Sequence, residues 1–425
     1  MTEEFLHYIW KYKLIDHHLV STSGEQLSVI QPGSHNSDSG PDFFNARIKI
    51  NNTVWAGNVE IHINSSDWYH HKHQLDKAYD NIVLHVVFED DKPVLRQDGN
   101  LIPTLKLKSH FNPSLYDRYT YFMTNKNWIP CEKLIQGVDR FVINNWIDRL
   151  MIEKLENKAA EITSHFLHNN SDWEQTFYEF LARNFGFKVN GTPFQLLAKS
   201  MPLNVLSKHK NNPFQIEALL YGQAGLLQPG FKDEYPNKLK KEYGFLKKKY
   251  SLLPIDPHLW RFMRLRPSNF PTIRISQFAD LIIKSSHLFS SVVEKKSLPH
   301  LIELFDISVS DYWNSHYMFD KASKKRTKTI SHKTIHLLII NTVVPFLFVS
   351  GKARNDQSMI DRALKLLDQI PGEQNAIISK WSGLGLSVRS SFQTQALILL
   401  KNAYCKNKRC LNCSIGNEII KNISS

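Results

Sequence analysis

Three polar residues in the first 62 positions have the types and spacing to handle a divalent cation and a proton: Asp42, Glu60 and His62. Asp42 follows the break Ser39-Gly40-Pro41, and Glu60 and His62 close the run Gly57-Asn58-Val59-Glu60-Ile61-His62. Ala46 to Ile50 reads as a strand, Asn51-Asn52 as a tight turn and Val54 to Ile63 as a second strand. Side chains alternate across a strand, so Glu60 and His62 share a face. A hairpin closed on that turn brings Asp42 in where Glu60 and His62 leave. Two carboxylates beside an imidazole can bind magnesium or manganese and activate a water.

The stretch after the hairpin reads as a helix from Ser66-Asp67 to about Tyr79, with Asp67 as its N-cap. Asp67 and His71 fall on one face at i, i+4, so Asp67 can hold His71 in a supporting role. His71 and His73 diverge on a helix and could grip one ion only if the segment were a loop, so the helical reading makes them a solvated face. His85 interrupts the apolar, β-branched run Ile82 to Phe88, a strand buried on both faces, and is read there as a supporting core histidine.

Pro41-Asp42, seventeen intervening residues and Glu60-Ile61-His62 resemble the signature of the PD-(D/E)xK nuclease superfamily. The predicted order of helix, hairpin, helix and strand resembles that of its core. The resemblance covers about the first 110 residues. It implies a restriction-endonuclease-like α/β sandwich with a mixed sheet, Asp42 and Glu60 as Mg²⁺ ligands, and hydrolysis of DNA or RNA phosphodiesters. The third motif position is usually Lys in that superfamily. His62 can replace its charge only when protonated; neutral, it can act as base or ligand. Over its whole length, including Ser65-Ser66-Asp67-Trp68 and the cysteine-bearing tail, the chain is similar to an uncharacterised bacterial family of unknown function.

A chain of 425 residues suggests two domains, placed here at 1–127 and 128–425, with the boundary at Trp128-Ile129-Pro130-Cys131. Charge separates them: residues 1–130 carry 12 Lys+Arg against 15 Asp+Glu, and the remainder 41 against 25. Ten of the 19 histidines lie in the acidic front. The back reads as mostly α-helical, opening with a long helix from about Val138 to Phe166. Its basic character suits a polyanion. Arg261, Arg264, Arg266 and Arg274 interleave with Trp260, Phe262, Phe270 and prolines, a mixture that suits phosphate contacts with ring stacking on bases. The same run could instead be an Arg-rich loop salt-bridged to neighbouring helices.

Cys405-x4-Cys410-x2-Cys413 and Cys131 are all the cysteines present, and four thiolates are the usual complement for Zn²⁺ or an iron–sulfur cluster. Some nucleases of the resembled superfamily join a distant cysteine to a C-terminal triplet around a [4Fe–4S] cluster, which is what the resemblance implies for these four. No segment has a signal-peptide layout, and Ile335 to Val349, interrupted by His336, Asn341, Thr342 and Pro345, reads as a buried helix that Pro345 kinks or ends. The expected setting is cytoplasmic, without a membrane. The leading expectation is a metal-dependent nuclease. A nucleic-acid binder on the same fold with a structural metal is the first alternative, and a zinc hydrolase built on His71, His73 and His85 the second.

Overall fold

The computed structural model describes residues 1–285 and 287–422. The chain forms two compact units, one of residues 1–146 with 400–425 and one of residues 147–399. The tail therefore groups with the N-terminal sheet and not with the helices that precede it.

The first unit opens with helix α1 (Glu3–Lys11), capped by the Thr2 side chain on the Phe5 amide. Seven strands follow in one sheet: β1 (Leu19–Val20), β2 (Gln26–Gln31), β3 (Ser34–His35), β4 (Phe43–Ile50), β5 (Thr53–Asn64), β6 (Ile82–Glu89) and β7 (Thr104–Lys106). The order is β1-β2-β4-β5-β6-β7, with β3 added beside β4. β2–β4 and β4–β5 pair antiparallel, whereas β5, β6 and β7 run parallel to one another, so the sheet is mixed as expected. The hairpin β4–β5 turns at Asn51, which takes positive φ as the reading of Asn51-Asn52 requires. The first six residues of β6 are all buried, as its unbroken apolar run demands.

The helix expected from Asp67 to Tyr79 is not continuous. α2 (Asp67–His70) stops after one turn, and 3₁₀ turns at His73–Leu75 and Lys77–Tyr79 follow. Lys72 lies between them at φ 62°, a left-handed conformation that reverses the chain. That conformation costs roughly 1–2 kcal/mol outside glycine and persists only where tertiary contacts enforce it. Ser65 Oγ takes the Asp91 and Lys92 amides at 3.0 and 2.9 Å, and the Ser66 amide donates to Asp91 at 2.9 Å. Trp68 then packs into a core of Tyr79, Ile82, Val94 and Ile102.

Gly57 lies where β5 meets the entry to β6. A Cβ there would stand 2.4 Å from Val83 Cγ1 and 2.7 Å from the Asn81 carbonyl oxygen. Gly57→Ala should therefore destabilise the protein by about 1–3 kcal/mol, read as a fall in the urea midpoint. An unchanged midpoint would show that the two strands can part without cost.

Among its described residues the second unit is helical except for one hairpin, His316–Met318 with Lys321–Ala322, which departs from an all-helical expectation. Its apolar stretch does not end at Pro345. The helical path runs from His332 to Arg354 through a π turn at Ile339–Val343, and Asn184 Nδ2 donates to the Asn341 carbonyl that proline leaves without its usual amide. This helix has the length and composition to cross a membrane, but 78 % of its apolar window is buried in the protein, as in a core helix.

Candidate metal centre

The end of the β4–β5 hairpin is locked by a reciprocal pair of hydrogen bonds. The Asp42 amide donates to Glu60 Oε2 at 3.1 Å, and the Ile61 amide donates to Asp42 Oδ2 at 2.9 Å. A register shift between Phe43 and Ala46, with Asn45 at φ 57°, bends β4 so that Asp42 reaches its partner strand. Asp42 and Glu60, both named from the sequence, are thus joined through backbone amides.

Glu60 and His62 project from one face of β5 as alternation requires, with His62 Nε2 3.7 Å from Glu60 Oε1. His62 Nε2 is also 3.1 Å from His71 Nδ1, and His73 Nε2 is 3.3 Å from Glu60 Oε1. Ligand atoms of His62, His71 and His73 all lie within 4.8 Å of one another. The break at Lys72 makes this possible, because His71 and His73 would diverge on a helix. Asp67 does not hold His71. Its Oδ2 accepts the Asn64 amide at 3.0 Å, while Oδ1 faces His70 at 3.2 Å. Nor does Asp67 serve as N-cap, since it is already the first helical residue.

His85 is fully buried on β6, with its Nε2 2.8 Å from His62 Nδ1. It backs His62 and does not join the trio, so a centre of His71, His73 and His85 is replaced by one of His62, His71 and His73. Trp68 edges onto the His73 and His85 rings, and Tyr79 stacks on His73 at 3.8 Å.

His7 has no place in the sequence reading. It projects from α1 and pairs with Asp42 Oδ2 at 3.2 Å. The one signal for it was the Glu3–His7 spacing of i, i+4 on a helix whose other positions bury Phe5, Tyr8 and Ile9.

Burial drives the ionisation of the group. It pushes the His62 imidazole down to about 2, helped by the charges of His85, His73 and His71, and His85 down to about 3. Both rings are neutral, so His62 cannot supply the positive charge of the motif's usual lysine. Burial also lifts the Glu60 carboxyl above its ordinary range; His73 pulls it down and Asp42 pushes it up. Burial pulls His7 down, but the hydrogen bond and charge of Asp42 outweigh it and leave the ring more basic than usual.

The donor set fits a cation. Bonds of ~2.0–2.1 Å at the tetrahedral angle put ligand atoms roughly 3.3–3.4 Å apart. The separations here are 3.1, 3.3 and 3.7 Å. His73 Nε2 is buried and, despite its distance to Glu60, is not aligned for a hydrogen bond. Three imidazoles with one carboxylate suit zinc or manganese better than magnesium.

The whole of this centre falls within residues 3–376, which match the family described as a protein of unknown function, DUF2851. The chain belongs to the DUF2851 family. No curated protein and no solved structure matches it.

In this DUF2851 chain the arginine-rich run lies in the second unit and divides in two. Arg261, Arg264 and Arg266 are exposed. Arg274 is only 5 % exposed, held by Gln277 Oε1 at 2.9 Å and Asn269 Oδ1 at 2.6 Å over the Phe187 ring. Trp260 is buried with its indole donating to the Ala224 carbonyl, and Phe262 packs on Phe270, so these rings serve the fold. Arg266 and Arg274 line a cavity of about 600 Å³ with Arg326, Lys328 and Lys333, and no carboxylate lines it.

Proposed function

We propose that this DUF2851 protein is a metal-dependent phosphodiesterase acting on nucleic acid. The observation that carries the reading is the convergence of His62, His71 and His73 at ligand spacing, with Glu60 Oε1 3.3 Å from His73 and 3.7 Å from His62, beside a locked Asp42. The sequence resemblance to PD-(D/E)xK nucleases supports the substrate class. So does the run of elements: a helix, antiparallel strands bearing Asp42 and Glu60, a short helix, then a strand parallel to the second of these. The cationic cavity of the second unit adds a place for phosphate.

Glu60 and the three imidazoles would hold the cation. When bound it supplies Lewis acidity, activating a water near neutral pH and offsetting charge on the attacked phosphoryl group. The chain's own residues do the rest. Asp42 fixes the mouth of the hairpin and keeps His7 basic, and the side chain of His7 is 21 % exposed. His7 therefore stands where the charge missing from position 62 can come from, able to meet a phosphoryl oxygen or give a proton to a leaving oxygen. Trp68 and Tyr79 keep water from the back of the imidazoles.

The test is turnover by the purified protein, stripped and then reloaded with Zn²⁺, Mn²⁺ or Mg²⁺, on single- and double-stranded DNA, RNA and a chromogenic phosphodiester. Cleavage supported by zinc or manganese is the expected result. Cation binding without cleavage of any of them would leave a nucleic-acid binder with a structural ion.

His85 provides a separate measurement. For His62 Nε2 to face a cation, its Nδ1–H must donate to His85 Nε2, which fixes the ring. His85→Phe keeps a ring against Trp68 but removes the acceptor, and should weaken zinc affinity about 10–100-fold in a chelator competition titration. Unchanged affinity would show that His62 does not need this partner.

A further inference from the structure

Outside that site, the fold collects every cysteine of the chain. Cys131 lies in the turn after Ile129-Pro130, and Cys405, Cys410 and Cys413 lie in the returning tail, all within the first unit. None forms a disulfide, and three of the four are buried. They stand near enough for their charges to act on one another: Cys131 feels Cys413 and Cys410, and Cys405 feels the other three.

We propose that Cys131, Cys405, Cys410 and Cys413 form a four-thiolate metal centre that clasps the tail to the sheet unit. The surroundings are built for bound thiolates. Cys413 sits at the start of the helix Ser414–Lys421, where the Ile415 and Gly416 amides favour charge on its sulfur. Such N–H···S contacts stabilise a thiolate and do little for a thiol. Lys401 lies close enough to act on Cys405, and Lys408 on Cys410. Their ammonium groups are fixed on the Trp128 carbonyl and on the Met123 and Asn125 carbonyls, which ties the tail to the segment that leads into Cys131.

Gly416 shows how tightly the tail is wound around the site. A Cβ there would stand 2.3 Å from the Cys410 carbonyl oxygen. Arg118 donates to the Ile419 carbonyl at 2.9 Å, so the tail is also tied to the helix Pro113–Thr124. Among the described residues the ligand trio within 4.8 Å is the histidine one, so no three sulfurs come within that distance of one another. A ZnS₄ tetrahedron with ~2.3 Å bonds has edges of roughly 3.8 Å. The wider spread suits an iron–sulfur cluster, whose irons each take one thiolate, better than a single zinc ion.

The experiment is metal and acid-labile sulfide analysis of anaerobically purified full-length protein, with absorption spectra and thiol titration of the native state. Iron with sulfide identifies a cluster, and zinc at one extra equivalent a single ion. Either must come with native thiols protected from the titrant. Cys131→Ser and Cys410→Ser should lose that metal while the ion at the histidine site is retained. Gly416→Ala, which keeps all four thiols, should bind it at least tenfold more weakly. Wild-type protein with four titratable thiols and neither metal would overturn the proposal, whatever the variants do. Because the readout is thiol-bound metal, failure here leaves the phosphodiesterase reading standing, and the converse also holds.

Discussion

Glu60→Gln should abolish metal-dependent turnover while leaving the metal-free protein as stable as before, or more so. Glu60 is the joint of the site: Oε1 lies 3.3 Å from His73 Nε2 and Oε2 accepts the Asp42 amide at 3.1 Å. Gln keeps the shape and can still accept from Asp42, but its neutral amide is a poor partner for a divalent cation. Loss of the anionic ligand should lower kcat by at least about 10²-fold. The stability change runs the other way because burial raises the carboxyl's pKa. A folded pKa above the unfolded one means that ionised Glu60 opposes folding, an opposition that is absent below the ordinary value and grows as pH rises through the folded one. Removing a buried charge that no cation offsets in the metal-free protein relieves that cost. A purely structural Glu60 would give the opposite pair of results, a lower melting temperature and activity lost only in proportion to unfolding. Activity retained by Glu60→Gln would exclude it as a ligand.

The proximity of Asp42, Glu60 and His62 is legible because the three lie in one hairpin, where turn residues and strand alternation settle which residues are neighbours. His71 and His73 were visible as types but were read onto a helix that the protein does not continue. The contact that decides this is the Ser65–Ser66 turn pinned to Asp91, a partner 25 residues away that no local propensity encodes. His7 was illegible for a related reason. Its partner Asp42 comes from another element, and one helical turn of a nine-residue amphipathic helix gives no sign of what it packs against. In the arginine run, alternation with aromatics looked like a surface. Yet Arg274 stands in the helix Pro271–Lys284, whose residues 271–279 are all buried, and so it points inward. Cysteine count and spacing suggest a centre. That the tail returns to the sheet unit, with Lys401 on the Trp128 carbonyl, is a fact of tertiary packing, and it lies beyond the stretch that the DUF2851 family matches.

Acid should unfold the metal-free protein with a slope that the imidazoles set. His62 and His85 have folded pKa values of about 2 and about 3, against an ordinary 6.5. Below pH 6.5 the unfolded chain binds a proton at each while the folded protein binds neither, so stability is full above 6.5 and is lost as pH falls towards those folded values. Each histidine contributes a slope of about 1.4 kcal/mol per pH unit, roughly 2.7 for the pair. Glu60 works against this above its ordinary value of 4.5, where the folded carboxyl keeps a proton that the unfolded one has released; below 4.5 both states are protonated and the opposition vanishes. The two-proton slope should therefore show between pH 4.5 and 3. His7 has the reverse sign: its raised folded pKa stabilises the protein below 6.5 and withdraws as pH rises through the folded value, which places the metal-free optimum near neutrality. The decisive measurement is urea unfolding of wild type and His85→Phe over this range. The variant should lose one proton's worth of slope, about 1.4 kcal/mol per pH unit. Subtracting the two curves cancels the carboxylates elsewhere in the chain, so equal slopes would mean that His85 is protonated in the folded protein and that the pair with His62 is not the neutral, ion-ready arrangement on which the metal centre depends.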